Sequence, residues 1–91
     1  NAIHENNIIS GLNIFPNPTD GLVILSFESI ENNNFIISIL NVLGEVVFEE
    51  KLIQFSGMYR KEINLDNFAK SVYFIKIETS GSAINKKLIL R

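Results

Sequence analysis

Apolar residues in this chain recur at every second position, in short runs separated by turn residues. Phe35, Ile37 and Ile39 alternate with Ile36, Ser38 and Leu40, and Tyr73, Ile75 and Ile77 alternate with Phe74, Lys76 and Glu78. A period of two puts alternate side chains on opposite faces of a strand, and the runs are rich in β-branched and aromatic residues. The pattern predicts seven strands: Leu12–Phe15, Leu22–Glu28, Phe35–Asn41, Val46–Leu52, Met58–Asn64, Val72–Thr79 and Ala83–Leu90. Their starts lie about 10–14 residues apart, close to the spacing of a sandwich or barrel. Between them, Pro16–Gly21, Glu31–Asn34, Leu43-Gly44-Glu45, Ser56-Gly57 and Ser80-Gly81-Ser82 carry turn chemistry, and Asp66–Lys70 has room for one short helical turn. No gap is long enough for a crossover helix, so the sheets should be antiparallel. The expected fold is all-β: an immunoglobulin-like antiparallel β-sandwich of about seven strands.

Composition narrows what such a sandwich can do. With 91 residues, 46% of them hydrophobic and 20% charged, the chain makes one small domain with a packed core. It has no Cys, hence no disulfide framework and no thiolate metal site. A net charge of −2 argues against nucleic acid as a partner, since phosphate binding needs a basic face. No apolar run approaches the ~20 residues of a transmembrane segment. The first residue is Asn1 and the single Met is Met58, which suggests a piece of a longer protein. Residues Asn1–Gly11 read as a linker from an upstream domain, and 12–91 as the domain itself. The nearest approach to a glycosylation sequon, Asn17-Pro18-Thr19, is disqualified by Pro18.

Chemistry-bearing clusters are sparse. The one histidine, His4, falls in the linker, and no nucleophile elbow or phosphate loop is present. Glu45, Glu49 and Glu50 gather around one hairpin, where a charged edge that discourages aggregation explains them better than an acid/base pair. Asn64-Leu65-Asp66-Asn67 offers oxygen ligands without calcium-loop spacing and reads as a turn or cap. Catalytic residues, metal ligands and cofactors are accordingly none. Pro16 and Pro18 bracket Asn17 in a stiff corner, and Gly21 is expected to supply a positive φ where the second strand begins. Strand parity places Val23, Leu25, Phe27, Phe35, Ile37, Ile39, Tyr73, Ile75, Ile77, Leu88 and Leu90 inward. It leaves an apolar surplus on the opposite faces, Leu22, Ile24, Ile36, Leu40, Val72, Phe74 and Ile89, which would suit an exposed docking patch.

Four ordered segments carry a resemblance. Ile14-Phe15-Pro16-Asn17-Pro18-Thr19-Asp20-Gly21 resembles the aromatic-Pro-Asn-Pro-x-x-Gly opening of the type A C-terminal sorting domains of the type IX secretion system of Bacteroidota. Asn41-Val42-Leu43-Gly44-Glu45-Val46-Val47 is similar to that family's Asn-x-x-Gly-x-x-Val centre. Ile63–Phe68 followed by Val72-Tyr73 is similar to its third block, and Lys86-Lys87-Leu88-Ile89-Leu90-Arg91 to its basic-apolar ending. The resemblance spans Leu12 to Arg91. Ser71 stands where the family commonly has Gly, which puts the shape of that turn in question, and Phe15 stands where Tyr is common.

The resemblance implies an address, not a catalyst. Its signal residues would be Pro16, Asn17, Pro18, Gly21, Asn41, Gly44, Val72 and Tyr73, with Lys86–Arg91 as the terminal recognition element. Implied partners are the outer-membrane translocon, its shuttle component and a sortase-like cysteine protease that cuts before Leu12. The domain would be a monomer in transit through the periplasm to the outer membrane surface or the medium. The competing reading is an adhesive or carbohydrate-binding sandwich appended to a secreted hydrolase.

Overall fold

A computed structural model describes residues 9–91, and His4 lies outside the described residues. Every regular element in it is a strand: β1 (Ile9–Phe15), β2 (Leu22–Leu40), β3 (Val46–Asn64), β4 (Ser71–Thr79) and β5 (Ser82–Leu90). All strand pairings are antiparallel, as the short connections require. The strand count is five and not seven, because two pairs of expected runs are continuous. Glu31–Asn34 does not end a strand. It is a bend within β2, with register shifts against β3 on either side of Asn33. Ser56-Gly57 likewise lies inside β3.

The bend is held by polar contacts that let the ladder continue through it. The Gln54 amide donates to Asn34 Oδ1 at 2.7 Å, and Gln54 carries a φ of 48°. The Ser29 hydroxyl donates to the Glu31 carbonyl at 2.6 Å, and that of Thr79 to the Asn34 carbonyl at 2.8 Å. On one side of the bend, Leu22–Ser29 of β2 runs between β1 and Gly57–Asn64 of β3. On the other, Phe35–Leu40 runs between Val46–Leu52 of β3 and β4, and β5 closes that sheet.

Both sides feed one core. All eleven residues expected inward are buried, joined by Ile9, Tyr59, Ile63 and Leu65. Phe27 and Phe35 flank the bend with ring centroids 5.6 Å apart, and Tyr59 stacks on Phe27 at 5.0 Å. Two further expectations are corrected. The first strand begins at Ile9 and not at Leu12: Ile9 and Ser10 of β1 pair with Ser29 and Glu28 of β2, and the buried Ile9 side chain extends the apolar face. Asp66–Lys70 forms a hydrogen-bonded turn, Phe68 N–H to Leu65 C=O at 3.0 Å, and no helix.

Candidate recognition site

The Pro16–Gly21 corner leaves β1 and crosses to the outer edge of β5. Both of its X-Pro peptides, Phe15–Pro16 and Asn17–Pro18, are cis. Asn17 lies beside the terminal strand: its Nδ2 donates to the Lys87 carbonyl at 2.8 Å and its Oδ1 accepts from the Ile89 amide at 3.0 Å. Thr19 continues the pairing with its backbone, donating to the Ile89 carbonyl at 2.8 Å and accepting from the Arg91 amide at 2.9 Å, a parallel bridge to Leu90. The Thr19 hydroxyl is buried, donating to the Leu22 carbonyl at 2.5 Å and accepting from the Gly21 amide at 3.1 Å. Asp20 meets Arg91 at 3.5 Å in an exposed ion pair. Thr19 and Asp20 occupy variable positions of the corner motif, and the sequence gives no sign that they touch the chain's far end.

Gly21 allows a close approach and takes no positive φ. A Cβ there would run into the Asp66 carboxylate, since the Leu65 amide donates to the Gly21 carbonyl at 2.8 Å and draws the two segments together. Lys70 Nζ donates to the Asp20 carbonyl at 3.3 Å, so the corner also contacts the turn before β4. Tyr73 is buried, and its hydroxyl reaches back to the Ala69 carbonyl at 2.6 Å, fastening that turn to the core. Val72 is half-buried on the outer face opposite Ile89. Ser71 opens β4 paired with Leu90 and takes no positive φ, so serine fits where the family commonly has glycine.

Asn41 and Gly44 build the turn between β2 and β3. Asn41 Oδ1 accepts from the Leu43 and Glu45 amides at 2.9 and 3.0 Å, and Gly44, at a φ of 83°, donates to the Asn41 carbonyl at 3.0 Å. This turn follows Leu40, whose β4 partner Phe74 pairs in turn with Lys87. The four sequence segments, spread over the whole chain, therefore meet at one end of the domain.

The three glutamates do not converge. Glu45 accepts from Asn41 Nδ2 at 2.8 Å, and Glu49 is exposed. Glu50 pairs with the buried Ile37 and accepts from the Tyr59 hydroxyl at 2.6 Å, so it is not simply a solvated edge charge. Asn64 Oδ1 accepts from the Asp66 amide at 2.8 Å, the turn cap expected of it. Among the described residues, no three His, Cys, Asp or Glu side chains gather as a metal site would require.

The outward apolar residues divide between two surfaces. Leu22 and Ile24 lie with Phe15 on the β1 side, while Ile36, Leu40, Val72, Phe74 and Ile89 lie on the outer face of the β4–β5 side. Phe74 is 39% exposed and Leu22 49%, with Ile24 and Ile36 half-buried. Val42, Leu43 and Val46 extend the second surface into the β2–β3 turn. A shallow cleft at the opposite end of the domain, lined by Asn34, Ile36, Glu78 and the Ser80–Ala83 turn, carries no aromatic ring.

The family model described as the secretion system C-terminal sorting domain matches residues 13–91. No curated protein matches the sequence.

Proposed function

The chain belongs to the family of secretion system C-terminal sorting domains, and on that premise we propose that it carries an attached cargo across the outer membrane by the type IX route. The observation that carries this reading is the meeting of all four motif segments at one end of the fold, within the family match. Pro16, Asn17, Pro18, Gly21, Asn41, Gly44, Val72 and Tyr73 act by shaping and joining that end, and Lys86–Arg91 is the strand the translocon or its shuttle component engages. The domain passes through the periplasm as a monomer and reaches the outer membrane surface or the medium. It is itself the substrate of the route, and a sortase-like cysteine protease then cuts it from its cargo. The cut lies before Leu12, within Asn1–Gly11, and the pairing of Ile9 and Ser10 with β2 favours a bond ahead of Ile9.

An immunoglobulin-like sandwich is the architecture this reading favours. Three strand segments on one side of the bend and four on the other support it, as does the Tyr73 hydroxyl bonding the backbone four residues upstream of Tyr73, just before β4. A tyrosine so placed recurs at the corner of such sandwiches.

The test is a reporter carrying a Sec signal, fused ahead of the chain in a bacterium with a working type IX system. The reporter is expected outside the cell and shortened by the domain's mass. Retention in the periplasm, or equal export when the domain is moved ahead of the reporter, overturns the reading.

A further inference from the structure

The outer edge of β5 is occupied by the chain's own corner. In a strand, successive residues direct their backbone groups to alternate sides. Leu88 and Leu90 therefore direct theirs toward β4, while Lys87, Ile89 and Arg91 direct theirs outward. Four of those outward groups have partners: the Lys87 carbonyl and Ile89 amide on the Asn17 carboxamide, and the Ile89 carbonyl and Arg91 amide on the Thr19 backbone. The Asn17 side chain thus imitates one rung of a ladder, and Thr19 supplies the next. An open edge would be a template for pairing with another chain.

We infer that Asn17 and Thr19 are positioning residues: they close the main-chain edge of the terminal strand and hold it flat, so that a partner reads its outward side chains, Lys87, Ile89 and Arg91, and not its backbone. This rests on the sorting reading and deepens it, since it makes the corner and the terminal strand one recognition unit. The partner surface that fits offers carboxylates for Lys87 and Arg91 around an apolar patch for Ile89, which lies beside Val72. The buried Thr19 hydroxyl, bonded to the Leu22 carbonyl and the Gly21 amide, fixes the corner so that the Thr19 backbone lies along the strand edge.

Amide hydrogen exchange on the whole chain, followed by export of the reporter fusion, tests both halves. Asn17→Ala should speed exchange at Ile89 by about tenfold, the effect of losing roughly one hydrogen bond to a polar partner. Leu88 and Leu90, bonded toward β4, should keep their protection. Asn17→Asp, which keeps an acceptor for Ile89 and loses the donor to Lys87, should give a smaller acceleration, and it serves should the alanine variant unfold. Export of the Asn17→Ala fusion should fall as it does for Lys87→Ala/Arg91→Ala. Unchanged exchange at Ile89 overturns the closed edge, and faster exchange with normal or improved export overturns its role in recognition. A reporter that stays inside even with the unaltered domain overturns the sorting reading, and the recognition half with it, whatever the exchange rates are.

Discussion

Gly21 and Gly44 sit in two motif segments for different physical reasons, and alanine separates them. At Gly44 the backbone has a φ of 83° and a Cβ would meet nothing, so the whole cost of Gly44→Ala is conformational, about 1–2 kcal/mol. At Gly21 the φ is ordinary, and the added methyl strikes the far end of the exposed Asp66 side chain, which can swing aside. Gly21→Ala should therefore cost less than Gly44→Ala in denaturant unfolding, and the reverse order would mean that Asp66 is held in place. Tyr59 is the other residue with a clear chemical signature. Burial first, then the hydrogen bond to Glu50 and that carboxylate's charge, push its phenol well above the ordinary value of about 10. The folded chain keeps this proton when the unfolded chain loses it. The contribution to stability is therefore full below pH about 10 and declines as pH rises further, by up to about 1.4 kcal/mol per unit. Tyr59→Phe should lower stability near neutrality by about 1–2 kcal/mol, since Glu50 loses its donor. It should also flatten the decline between pH 10 and 11 (as about 1 unit of alkaline range) in urea melts; an equally steep decline would assign the loss to other groups.

At the scale of elements, parity was the legible quantity and continuity was not. The buried apolar residues of β2 are odd-numbered on both sides of Glu31–Asn34, from Val23 to Phe27 and from Phe35 to Ile39. A strand that keeps its face need not break, although four polar residues in a row read as a loop. In β3 the parity changes: Phe48 and Leu52 turn partly toward the core before the bend, Tyr59 and Ile63 after it. That change is absorbed at Gln54, through an unfavourable φ stabilised by Asn34, and no periodicity argument reaches it. Gln54→Gly should remove the strain and raise stability by up to about 1 kcal/mol, the left-handed penalty less the entropy of glycine in the unfolded chain. Asn34→Ala should lower it by about 1–2 kcal/mol by leaving the Gln54 amide without its acceptor. If Gln54→Gly destabilises the domain, the side chain is holding the bend by more than its backbone.

Across the whole molecule, β5 is both a core element and the proposed recognition strand, and this decides how the two roles can be dissected. The corner's contact with that strand joins residues about seventy positions apart through a carboxamide and a backbone bridge, and neither has a local sequence signature. Removing Lys87–Arg91 takes away Leu88 and Leu90, at 0% and 2% exposure, with the rungs to β4 and to the corner. Truncating one such leucine costs about 2–5 kcal/mol, and a small domain holds only about 5–15 kcal/mol in total. The deletion should therefore abolish cooperative thermal unfolding, and lost export in that variant would report a lost fold. Lys87→Ala/Arg91→Ala touches only exposed side chains and one exposed ion pair, worth less than about 1 kcal/mol. Its melting temperature should stay within about 4–8 °C of the parent, so a loss of export there belongs to recognition. A double variant that melts as badly as the deletion would mean the two cations support the fold, and the signal would then have to lie in the outward apolar face around Phe74 and Leu40.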